Sequence, residues 1–198
     1  MARVIRLMGG AAAILFAGAV LAQPPKEAES YFPTKANTTW TYKAGDQTVT
    51  VKVGDKTVKF KNEDCVKLET WVGGKEVASE LYSVKADGIY RVKVKDDKID
   101  PAIKVLQLPV KKGDAWKFNS KVGTQTVSGE FKVREDKEKI KIGEKEYETV
   151  AVEGIELDVA GSKTTVKLWF AKDKGIVKLN YKIADTETTL EMTDVKIP

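Results

Sequence analysis

Few of the residue types that perform chemistry stand together in this sequence. Histidine is absent from all 198 residues, so no Ser-His-Asp or Cys-His arrangement can form and the commonest transition-metal ligand is missing. No GxSxG, Walker or GxGxxG pattern occurs. The cluster KDDKID places Asp96, Asp97 and Asp100 close together, and three carboxylates can hold a hard cation such as Ca²⁺. That cluster has no glycine and carries Lys98 inside it, so it reads as solvated loop charge and no metal is assigned. The lone Cys65 leaves no internal disulfide. It reads as a small hydrophobe, the alternative being a thiol that bridges to a second chain. The chain is accordingly read as non-enzymatic and without a cofactor.

Binding chemistry is better represented. In a half-buried strand, alternate residues share a face. Trp71 thereby joins Lys67 and Glu69, Tyr82 joins Glu80, and Trp169 joins Lys167. Aromatic rings set among charges can line a concave, partly apolar surface that takes a lipid-like ligand. Trp71, Tyr82 and Trp169 are therefore the ligand-binding candidates. The other reading is packing beneath a loop or beside a neighbouring strand.

The elements that must position these rings are strands. TVTVKV, CVKLETWV, IYRVKVK and IVKLNYKI alternate apolar and polar residues, the pattern of antiparallel strands covered on one face. VGDKT, VGGKE, KADGI, IGEKE and VAGSK punctuate them as turns. Roughly a dozen strands at 8–12-residue spacing predict an all-β domain. DDKIDPAIKVLQLPVKKGD resists assignment because Pro101 and Pro109 bracket its apolar core. It is read as an extended crossing segment or a single helical turn. No window beyond the N-terminus has the pattern of an amphipathic helix.

The chain also repeats itself. LYSVKADGIYRV (Leu81 to Val92) aligns without a gap with LWFAKDKGIVKL (Leu168 to Leu179), 87 residues on. WTYKAGDQTVTVKV from Trp40 resembles WKFNSKVGTQTVSGEFKV from Trp116, and EDCVKLET resembles KEYETVAVE. Three collinear blocks predict two duplicated β-meander halves, about 40–95 and 116–183, with a connector over 96–115. Side by side they give one large curved antiparallel sheet, closed partly or wholly into a barrel that protects its edges.

The N-terminus supplies an address. Arg3 and Arg6 precede an uncharged apolar run from Leu7 to Leu21 that ends in small residues, as in a secretory signal. Cleavage is expected after Ala22, with Ala19 the earlier choice and an uncleaved anchor the alternative. The expected organisation is signal 1–22, flexible leader 23–30 and a single domain 31–198, with a periplasmic or extracellular destination. No later segment is apolar enough to span a bilayer. The chain has 34 Lys+Arg against 29 Asp+Glu, and removing Arg3 and Arg6 leaves 32, a net charge of +3. Lysines scattered among acids, with Arg91 and Arg134 the remaining arginines, do not make a nucleic-acid footprint.

The opening YFPTKANTTWTYK (Tyr31 to Lys43) resembles the start of a group of exported bacterial β-rich proteins of unknown function, and LWFAKDKGIVKLNY (Leu168 to Tyr181) is similar to the segment that closes many of them. Some such families are similar to lipoprotein-carrier half-barrels. The resemblance implies a concave β-sheet face that binds an apolar or amphipathic ligand, lipid or lipoprotein-like. The second expectation is a structural or protein-interaction module of the cell envelope without a small ligand.

Overall fold

The computed structural model describes residues 26–198; the expected signal 1–22 lies outside them. A short helix, α1 (Lys26–Tyr31), leads into β1 (Thr39–Ala44), β2 (Gln47–Val53), β3 (Val58–Phe60), β4 (Glu63–Val72), β5 (Lys75–Lys85), β6 (Gly88–Val94) and β7 (Asp97–Gln107). There follow β8 (Ala115–Val122), β9 (Gln125–Ile142), β10 (Lys145–Val159), β11 (Ser162–Ala171), β12 (Gly175–Ile183) and β13 (Thr186–Lys196). Every pairing is antiparallel and joins chain neighbours, with two exceptions that close a ring. β13 returns to β1 through Trp40↔Val195 and Tyr42↔Met192. β2 skips β3 and pairs with β4 from Val49↔Val72 to Val53↔Leu68. Twelve strands thus form a closed barrel and β3 lies outside it on β4, which is the all-β, edge-protected fold expected from the alternation.

Directly paired residues share a face, so the register assigns the two sides of the wall. Tyr82 pairs with Val66, Leu68 with Val53, Val49 with Tyr42, Met192 with Tyr42, Leu190 with Leu179 and Leu179 with Leu168. These residues line the interior. Lys43, Lys52, Lys67, Lys117, Lys167 and Lys178 take the opposite parity and point outward. Apolar within and charged without is the reverse of a barrel wall that faces lipid. Among the described residues no helix is long and apolar enough to cross a membrane.

The two ends of the barrel differ. At one end every connection is a tight hairpin with a left-handed turn residue: Gly45, Gly73, Lys95, Gly123, Ala160 and Ala184 all have φ between +48° and +59°. The other end carries α1, the β3 excursion and the β7–β8 loop. Residues 26–31, expected as part of a leader and the first domain residue, form this helix and pack on the core. Ala28, Tyr31 and Phe32 are buried at 0, 7 and 3 % exposure. The helix is too short to show an amphipathic period; its burial is tertiary. Trp40 fixes the same end, its indole N–H donating to the Lys174 carbonyl at 2.6 Å. A Cβ on Gly175, which has φ +81°, would stand 3.1 Å from that ring nitrogen.

The connector is corrected, and the repeat differs in detail between its two copies. The 96–115 segment is largely barrel strand β7, paired with β6 through Arg91↔Ile103 and Ile89↔Leu106. Pro101 is tolerated because the ladder to β8 consists of Ile99↔Val122 and Asp100↔Lys121 and stops there. Beyond that point the Trp116 indole bridges the strands, donating to the Lys104 carbonyl at 2.8 Å. Leu81 and Leu168 lie inside β5 and β11 rather than at their ends. Nor do the aligned hairpins keep the same faces. A bulge opposite Leu81/Tyr82 makes Val92 the extra residue of the first; a bulge opposite Trp169/Phe170 makes Val177 that of the second. The displaced bulge, together with a turn one residue longer in the second hairpin (Ala171↔Gly175 against Lys85↔Gly88), inverts the alternation between the aligned positions. Leu81 and Tyr90 face out, whereas Leu168 and Leu179 face in.

Cys65 sits under β3. With Leu81 and Val92 it forms a small outer core capped by Val58 and Phe60, and it is fully buried at 0 % exposure. Burial, with Glu63 adding to it, pushes the thiol up to about 11. The native protein is therefore expected to resist alkylation at pH 8, with thiol labelling reaching one equivalent only in denaturant. Full labelling of native protein would show that β3 does not cover the thiol.

Candidate binding site

The interior is graded from one end to the other. Near α1 the inward side chains are sealed: Ile89, Leu106, Val150, Val152 and Phe170 are at most 1 % exposed. Towards the hairpin end they open. Val72, Val94, Phe118, Val166, Leu179 and Leu190 are half-buried, and the last inward positions of β10 and β12, Val159 and Ile183, are 38 and 49 % exposed. The barrel is thus a cup with a packed floor and an apolar, accessible mouth. Exposed apolar residues are common singly; here several face one opening together, interspersed with inward-facing Thr70, Thr164 and Thr188.

Halfway down this wall stand two charges on adjacent strands. Arg91 on β6 pairs with Tyr82 on β5, and Glu80 lies two residues before Tyr82 on the same inward face. The Arg91 guanidinium donates through Nη2 to Glu80 Oε1. The Tyr82 hydroxyl donates to Glu80 Oε2 at 2.8 Å, and the Phe32 ring lies 5.0 Å from the Tyr82 ring. Burial opposes the Arg91 charge, but Tyr82 and Glu80 outweigh it and hold the group above its ordinary pKa. Burial first, and then Glu80, keep the Tyr82 phenol well above its usual range. The pair is deep within the protein yet reachable, since 34 % of the Arg91 side chain and 21 % of Glu80 remain accessible. Arg91 Nε is buried without an acceptor.

The three sequence candidates are not brought together. Tyr82 belongs to this inner site. Trp71 pairs with Thr50 between inward-facing Thr70 and Val72, so it stands on the outer wall beside the Lys67–Glu69 ion pair of 2.7 Å. Trp169 is also on the outer wall. Its indole donates to Glu138 Oε2 at 3.1 Å, and Lys167 and Lys178 lie 4.5 and 5.6 Å from its ring. Covered by the long β9–β10 hairpin and 8 % exposed, it packs where a ligand surface was expected. Arg91, missed as a site residue, was signalled by being one of two arginines in a lysine-rich domain and by alternating with Ile89 inside an apolar pattern. Of the acidic cluster, Asp100 is taken by Lys98 at 2.9 Å and Lys61 at 3.2 Å.

Two surface clefts lie elsewhere. One of about 590 Å³ opens on the outer wall among Lys117, Glu130, Asp158 and Lys163. Another of about 450 Å³ lies at the floor end beside Tyr147, Lys174 and Asp194. Neither includes Glu80 or Arg91, and charged side chains make up about half of each lining, with Phe118 and Ile155 in the first and Met192 and Val195 in the second.

The fold is shared with a solved structure from Bacteroides fragilis NCTC 9343, a protein inferred to be exported and having a YmcC-like fold. The match has a TM-score of 0.55 at 12 % identity over 84 % of this chain and 99 % of that one. A Parabacteroides distasonis ATCC 8503 protein, inferred to be a lipoprotein, aligns with a TM-score of 0.44 at 12 % identity over 84 % of this chain and 98 % of the other. No protein-family model matches the chain, and no curated protein matches its sequence.

Proposed function

We propose that this is an exported, non-enzymatic barrel that takes an apolar or amphipathic ligand through its hairpin end onto the inner wall. The observation that carries the reading is the gradient of exposure along that wall, from a sealed Phe170 at 0 % to an open Ile183 at 49 %. Inner surface left accessible over Val72, Val94, Leu179 and Leu190 loses free energy in water, on the order of 25 cal/mol per Å², and regains it when a hydrocarbon covers it. The signal-like N-terminus and a fold shared with a protein inferred to be exported support the compartment. The same comparison supports reading the resemblance to exported β-rich proteins as one of fold. Six barrel strands before the β7–β8 loop and six after it support the duplication read from the sequence, with bulges displaced after the two halves diverged.

Native mass spectrometry on protein from the exported fraction tests the reading. A discrete adduct that organic extraction removes is expected. A bare mass, together with no uptake of added acyl lipid, would favour the envelope module instead.

A further inference from the structure

We infer that Arg91 reads the polar head of the ligand, and that this head is an uncharged group bearing an acceptor oxygen, as in an acyl ester, rather than a free carboxylate or phosphate. The inference rests on the cup reading and specifies the chemistry of its ligand. A charged pair is not required to hold a barrel interior together, since buried ion pairs are often replaceable by apolar residues without loss of stability. Here the pair sits where the sealed floor meets the open wall, the depth at which an acyl chain along Val94 and Leu179 would place its head.

The pair is unequal in its remaining capacity. Glu80 already accepts on both oxygens, from Arg91 and from Tyr82. Among the described residues the Arg91 guanidinium gives one hydrogen bond, to Glu80, while Nε has no acceptor and a third of the side chain stays accessible. Guanidinium offers five N–H donors, so donors are left over at the wall and an oxygen acceptor is what they lack. Charge then decides between heads. Glu80 neutralises Arg91, so an incoming carboxylate or phosphate brings an uncompensated negative charge beside Glu80 in a poorly hydrated space. An ester carbonyl takes the same hydrogen bond without importing charge.

The test compares three pyrene-labelled probes of equal chain length, namely a monoacylglycerol, the free fatty acid and the plain alkane, on the wild-type full chain, on the E80M/R91M pair and on R91K. The expected result is that wild type prefers the ester to the acid. The double variant loses about ten- to a hundred-fold for the ester and keeps its alkane affinity, because a hydrogen bond to a charged group is removed. R91K falls between, since it keeps the charge but loses the planar fork. If all three probes bind wild type and E80M/R91M changes none of them, head recognition by Arg91 is overturned and the cup reading stands. Preference for the acid overturns the choice of an uncharged head. If no probe binds wild type, the cup reading fails and the inference with it.

Discussion

Phe32→Ala lowers the stability of the barrel by about 3 kcal/mol, a fall in Tm of roughly 6–12 °C for a domain of this size. Phe32 is 3 % exposed and packs against Tyr82 with the rings tilted and 5.0 Å apart, so its removal leaves a cavity beside the inner site. The backbone connections around it survive the substitution, so the loss reports the ring alone. The Phe32 amide donates to the Ala28 carbonyl at 3.0 Å, and Asp173 donates its amide to Ser30, tying α1 to the β11–β12 turn. Thermal denaturation of the variant, beside one lacking residues 23–25, separates the floor from the segment before it. A loss below about 0.5 kcal/mol for Phe32→Ala would show that the helix rests on the barrel without closing it.

The second large effect is non-additive. Arg91→Ala is expected to cost on the order of 2 kcal/mol, because it leaves Glu80 charged inside an apolar wall. The figure lies below the 3–5 kcal/mol typical of a fully buried pair, since both side chains keep some contact with solvent. Replacing both partners by methionine removes the stranded charge, and E80M/R91M should return to within about 1 kcal/mol of wild type. Urea titration of the single and double variants measures this directly. A double variant at least as unstable as Arg91→Ala would mean that the pair holds the wall together and is not there for a ligand.

How far these features can be read from the sequence depends on how local their causes are. Alternation such as Val49, Val51 and Val53 marks strands because each residue reports its own face, and turns such as Gly73-Gly74 report their own φ. Closure followed from the same pattern, since a dozen strands without helices need their edges covered. Facing was less legible. Tyr82 and Trp169 align in sequence, yet a displaced bulge and a turn one residue longer put one inward and the other outward, and nothing in either segment announces where the ladder will slip. Trp71 is outward for a simpler reason: its neighbours Thr70 and Val72 are claimed by the interior through β2. Helix α1 could not be seen because its six residues are held by burial of Ala28, Tyr31 and Phe32 rather than by a period of their own. Arg91 and Glu80 were lost among the other charges because their meeting depends on the β5–β6 register.

The central claim, that the inner wall near the hairpin end is the ligand surface, is tested most directly by titrating 1-N-phenylnaphthylamine into wild type, Leu179→Glu and Trp71→Ala and following its fluorescence. Leu179 is half-buried on the inner wall opposite Leu190, so a carboxylate there makes the surface polar while disturbing little of the sealed core. The account predicts saturable binding to wild type, weakened about tenfold or more by Leu179→Glu at nearly unchanged Tm, and left intact by Trp71→Ala. Binding that survives Leu179→Glu and is lost in Trp71→Ala would place the ligand on the outer wall and contradict it.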